Sequence, residues 1–98
     1  MHSRKFFLMH SLKLTKEAAA NIASLPTKKK RQVKDAIERL AKDPLLGKSL
    51  TKNLSGLYSY RSGDYRIIYK VLHRQILIII LTVGHRKDIY KKVSRKPF

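Results

Sequence analysis

The run ILIIILTV at residues 76–83 constrains the fold of this chain most. Its eight residues fall far short of the roughly 20 that a membrane-spanning helix needs. They are rich in β-branched side chains, which favour extended backbone. Apolar side chains stand at both odd and even positions, so both faces of the resulting strand seek cover, and the strand belongs centrally in a sheet.

The residues before this run supply the rest of a mixed domain. Phe6 to Leu14 carries β-favouring residues with partial alternation and predicts a first strand. Thr15 is placed as a helix N-cap, because its hydroxyl can accept from a first-turn N–H. KEAAANIASL then predicts a short helix with Ala18, Ile22 and Leu25 on one side, ended by Pro26. A second helix starts at Thr27 and runs to Asp43-Pro44. Val33, Ile37 and Leu40 recur at helical spacing with Ala36 beside them, and Lys28, Lys30, Arg31, Lys34 and Lys42 lie opposite. Residues 45–53 read as a polar connector.

The period then changes. In GLYSYR, Tyr58 and Tyr60 alternate with Leu57, Ser59 and Arg61. Ser62-Gly63-Asp64 predicts a tight hairpin, YRIIYKV the returning strand, and His73-Arg74-Gln75 a second turn into the apolar run. Gly84 is expected to break that last strand, with a short helical or irregular tail after it. The expected fold is a single α+β domain over residues 1–98: an N-terminal strand, a helical hairpin, and a three-stranded antiparallel meander. The helices pack on one face of the sheet. The other face stays partly open, and Arg61, Arg66, Arg86 and Tyr90 are expected to gather there.

Charge narrows the partners. Twenty-three Lys and Arg against six Asp and Glu give +17 over 98 residues. Such a surface attracts polyanions and speeds encounter with them, which points to nucleic acid, a nucleoprotein or an acidic protein. The chain has no cysteine, which excludes a disulfide framework and a thiolate zinc site and fits a reducing, cytoplasmic setting. His2, His10 and His73 show no metal-ligand spacing, and no metal or cofactor is expected. The opening MHSRKFFLMHSLKL is followed by no small-residue cleavage site and reads poorly as a signal peptide.

LSGLYSYRSGDYRIIYKV followed by ILIIILTVGHRKDIYK, preceded by a basic helical hairpin, resembles the RelE branch of the RelE/ParE toxin superfamily. The similarity runs from Leu12 to Tyr90. It implies the toxin of a type II toxin-antitoxin system: a ribosome-dependent endoribonuclease that cuts messenger RNA in the ribosomal A site. It also implies a cognate antitoxin encoded beside it and open to assembly with the toxin as a hetero-oligomer, and the unneutralised charge predicts that this antitoxin is acidic. Carried over by position, Arg66 of DYR matches an arginine that contacts the scissile phosphate, and Arg86 of GHR a second active-site arginine. Tyr90 of DIY matches an aromatic position that stacks on or orients the substrate. Arg61 matches a basic position on the strand before the hairpin. The chain departs from the pattern at Leu57 and Ser59, where well-known members carry lysines, so the residue that takes the 2′ proton is left open. Ser59, Lys52, His85 and Lys87 join Arg61 as candidate substrate-binding residues.

The chemistry of these residue types agrees with that reading. RNA carries its own nucleophile, the 2′-OH. Cleavage without a metal needs the phosphate held in line and its growing charge stabilised. Arginine suits this task, because its planar fork grips phosphate at two points and stays protonated. A tyrosine can stack on a base or join in proton transfer. Two other classes share the resemblance: a ParE-like toxin that inhibits gyrase without nuclease activity, and a weakened member that binds only RNA or antitoxin. The basic face at Lys28 to Arg31 is a further candidate contact to ribosomal RNA. Tyr58, Tyr60, Tyr65 and Tyr69 are assigned to packing.

Overall fold

The computed structural model describes residues 10–94. Along the chain come β1 (Ser11–Leu14), α1 (Lys16–Ala23), α2 (Thr27–Lys42), β2 (Lys48–Ser49), β3 (Tyr58–Ser62), β4 (Tyr65–Leu72), β5 (Leu77–His85) and α3 (Ile89–Val93). Short 3-10 turns at Lys52–Leu54 and His73–Gln75 link them. The strands form one sheet in the order β1-β5-β4-β3-β2. The three later strands make the expected antiparallel meander, and β1 runs parallel to β5. The part of the first strand expected before residue 10 lies outside the described residues. Among the described residues, no helix is long and apolar enough to cross a membrane.

The apolar run is an interior strand. It is bonded to β1 on one side and to β4 on the other, and β4 takes the middle of the sheet. Three of its features differ from expectation. Ile76 is not in the strand: it closes the preceding turn in a left-handed conformation (φ 50°), and β5 starts at Leu77. Gly84 does not end the strand, since it pairs with Arg66, and His85 pairs with Tyr65. A register shift at Ile68/Tyr69 leaves Leu81 as an extra residue on β5, and such bulges re-aim the side chains that follow. The connector also contains β2, whose two residues pair with Ser59 and Tyr58. Neither Lys48 nor Ser49 carries a strand signal, so only β3's free edge recruits them.

The helical hairpin covers one face. Ala18 and Ile22 of α1 and Val33, Ala36, Ile37 and Leu40 of α2 bury against Ile67, Tyr69, Ile78, Ile80 and Val83. Thr15 caps α1 as expected, accepting from the Ala18 N–H at 3.0 Å, and it also donates to the Leu81 carbonyl at 2.6 Å. Asn21 extends this strap. Its Oδ1 accepts from the Val83 N–H and the Thr82 hydroxyl, both at 3.0 Å. α1 therefore satisfies the edge of β5 beyond the end of β1, where an unpaired N–H would be costly.

The opposite face is not left open. Ile68 and Leu81 of the sheet, Leu57 ahead of β3, and Ile89 and Val93 of α3 form a second buried cluster, flanked by Leu50, Leu54 and Ile79. Five residues are too few for a helix to persist alone. α3 forms because Ile89 and Val93, four apart, bury completely, each contributing roughly 1.5–3 kcal/mol. Gly84 makes this approach possible. A methyl group at Gly84 would lie 2.8 Å from Ile89 Cδ1. A second close approach is at Gly47, where a Cβ would overlap the Tyr69 hydroxyl. That hydroxyl accepts from the Gly47 N–H at 3.0 Å and donates to the Pro44 carbonyl at 2.8 Å, pinning the connector to β4.

Replacing Gly84 with alanine is expected to destabilise the fold by about 1–3 kcal/mol through overpacking against Ile89; urea unfolding measures this, and Ile89→Val in the same chain should recover part of the loss. Burial pushes the Tyr69 phenol up to about 12 from its usual 10. Its native pKa exceeds its unfolded one, so the native state holds the proton longer. Stability from this group is present below pH 10 and is lost as pH rises toward 12. Chemical unfolding across that interval should show the decline, and Tyr69→Phe should flatten it.

Candidate active site

Three side chains from three elements meet on the α3 side of the sheet. Ser59 on β3 stands opposite Ile68 of β4, and its residue is only 2% exposed. The Tyr90 hydroxyl of α3 donates to Ser59 Oγ at 2.9 Å. Arg66 of β4 donates from Nη1 to the same oxygen at 3.4 Å. The Arg66 guanidinium carbon is 5.9 Å from the centroid of the Tyr90 ring, within range of a cation–π attraction. Tyr90 is 36% exposed and Arg66 partly so, which leaves both accessible to a ligand. The Gly84–Ile89 contact that seats α3 also sets the position of Tyr90, the next residue along.

Arg86 follows the end of β5 and is exposed. Its N–H donates to the Asp64 carbonyl at 2.8 Å, which ties it to the β3–β4 turn, beside the Arg66↔Gly84 pair. Among the described residues the single ion pair joins Lys92 to Glu17 at 3.4 Å. Arg66 and Arg86 thus have no carboxylate partner there. Unpaired guanidinium groups on so basic a chain favour an anion.

The other expected residues stand apart. Arg61 pairs with Arg66 across the hairpin, but its Nε donates to the Gly63 carbonyl at 2.9 Å, and it lines a small polar hollow with Gln32, Asp35 and Arg39 of α2. Its side chain is taken up by the turn. His85 meets Tyr65 edge-on at 5.7 Å, and Tyr65 packs with the helix-side core. The imidazole Nδ1 accepts from the Lys87 N–H at 3.2 Å. Lys52 and Lys87 are exposed. Gly84 is the residue that sequence reasoning misassigned. Its signal was present, since a glycine within a strand pattern also marks close approach of another segment. Among the described residues no three His, Asp or Glu side chains are grouped to hold a metal ion.

Residues 12–90 match the family model described as the ParE toxin of the type II toxin-antitoxin system parDE. The toxin RelG of Mycobacterium tuberculosis is 33% identical over 85 residues, which span 85% of this chain and 98% of RelG. The toxin RelE of the same organism is 30% identical over 90 residues, 86% of this chain and 89% of that toxin. Among solved structures, the RelBE2 toxin-antitoxin complex of M. tuberculosis superposes with a TM-score of 0.75 at 31% identity, covering 83% of this chain and 95% of the matched one. From this match across almost the whole described fold, the chain belongs to the RelE/ParE superfamily of type II toxins.

Proposed function

We propose that the chain is a RelE-type messenger RNA endoribonuclease acting on the ribosome. The observation that carries this reading is the meeting of Arg66 and Tyr90 on Ser59, with no carboxylate among the described residues paired to the arginine. Arg66 and Arg86 hold the scissile phosphate and offset the charge that builds on it. Preorganised donors of this kind contribute about 2.7–4 kcal/mol each where the reacting group is shielded from water. Tyr90 stacks on or orients the nucleotide next to that phosphate, an interaction worth about 1–3 kcal/mol. The 2′-hydroxyl gives up its proton as its oxygen attacks phosphorus, the bond to the 5′-oxygen breaks and that oxygen takes up a proton, giving a 2′,3′-cyclic phosphate and a free 5′-hydroxyl. The ribosome supplies much of the alignment, which lets few side chains suffice.

The partner proposed for the idle state is an acidic antitoxin segment that covers the arginines. Relatives solved as toxin-antitoxin complexes, such as RelBE2, support it, as does the +17 charge. Mixing the chain with the product of the adjacent reading frame should give a complex that weakens as salt rises; its absence at moderate salt counts against the idea.

Primer extension on messenger RNA translated with the purified chain tests the nuclease reading. Wild type should create new 5′ ends within codons. Arg66→Ala and Arg86→Ala should each reduce cleavage by on the order of 100- to 1,000-fold. Arg61→Ala should change it less than about tenfold, because its side chain bonds the β3–β4 turn rather than Ser59 or Tyr90. A supercoiling assay with gyrase runs beside it. Loss of supercoiling with intact messenger RNA would place the chain with gyrase-directed toxins instead.

A further inference from the structure

We infer that Ser59 is a positioning residue of this site, the fixed point that holds the Tyr90 phenol and the Arg66 guanidinium in one arrangement, and that it does not itself touch substrate. The inference rests on the nuclease reading. Sequence alone assigns Ser59 to the substrate. Its burial at 2% exposure leaves almost no surface for such a contact. A serine oxygen has two lone pairs. Here one accepts from Tyr90 at 2.9 Å and the other from Arg66 at 3.4 Å, so its accepting capacity is filled.

The oxygen is also well placed to act as a reference point. Ser59 is paired on both sides, with Lys48 of β2 and Ile68 of β4, so its backbone is held within the sheet. Tyr90 and Arg66 have long or rotatable side chains and reach it from a five-residue helix and from a different strand. Anchoring both to one atom limits the ring's rotation and sets the guanidinium 5.9 Å from the ring centroid. A phosphate then meets a guanidinium already aimed, and a base meets a ring already turned. Positioning of this kind acts on the rate of reaction more than on occupancy.

The test compares Ser59→Ala, Ser59→Thr, Tyr90→Phe and the Ser59→Ala/Tyr90→Phe pair in single-turnover cleavage on programmed ribosomes. Tyr90→Phe should slow the saturated rate about tenfold, the effect of losing one ordinary hydrogen bond, and Ser59→Ala, which loses the bonds from both Tyr90 and Arg66, at least as much. The half-saturating ribosome concentration should stay within about twofold, and the pair should be no slower than Ser59→Ala alone. Ser59→Thr keeps the hydroxyl and should retain most of the rate. A wild-type rate for Tyr90→Phe, an additive pair, or a raised half-saturating concentration at unchanged rate would overturn the inference. Should Ser59→Ala not fold, Tyr90→Phe and Ser59→Thr decide between the same outcomes. The Tyr90 ring carbon bearing the hydroxyl, followed by carbon-13 NMR of the free protein, needs no cleavage. It should shift in Ser59→Ala and hold in Ser59→Thr; an unmoved signal in Ser59→Ala overturns the inference. Wild type that cuts no messenger RNA would defeat the nuclease reading, and the NMR arm would still report whether Ser59 holds Tyr90.

Discussion

β5 is apolar on both faces and hydrogen-bonded on both edges, and the remainder of the molecule is arranged to cover it. Leu77 to Val83 are buried but for Ile79, and both cores include residues of this strand. The helix hairpin covers one side with six buried side chains of its own. The other side has much less material to draw on. A five-residue helix and the stretch around Leu50, Leu54 and Leu57 complete it. The need to bury Ile79 and Leu81 therefore folds the tail back, and folding the tail back brings Tyr90 to Ser59. Position in the site follows from packing, with Gly84 supplying the room.

Electrostatics works against this compactness and in favour of the proposed function. A net charge of +17 on 98 residues repels itself, and among the described residues one partly exposed ion pair offsets it. Such a pair is worth little. The stability of the fold thus comes from its two apolar clusters, while the surface charge is left available to a polyanion. That division suits the proposed activity, in which the free form seeks RNA and the idle form is held by an acidic partner.

Much of the architecture was legible in the sequence because two periods stand out against each other. Val33, Ile37 and Leu40 mark a helix and Tyr58 and Tyr60 a strand, and each is found in the element expected of it. Thr15 was legible as a cap for a local reason, the reach of its hydroxyl to Ala18. What was not legible depends on contacts distant in sequence. β2 exists only because β3 offers an edge. Gly84 reads as a stop until Ile89 is known to lie against it. The alternation that puts Arg61 and Arg66 on one face says nothing of the Gly63 carbonyl that captures Arg61. Ser59 was picked out as a departure from the family pattern, but its burial and its two donors emerge only when β4 and α3 are in place.

The central claim is that the scissile phosphate is held by Arg66 and Arg86 beside the Tyr90 ring that Ser59 positions. The structure of this chain on a ribosome carrying messenger RNA blocked by 2′-O-methylation in the A-site codon tests it most directly. The claim predicts a phosphate oxygen within hydrogen-bonding distance of the Arg66 guanidinium, with the adjoining nucleotide against the Tyr90 ring. A messenger phosphate held instead by the basic side of α2, with Arg66 facing solvent, would contradict it.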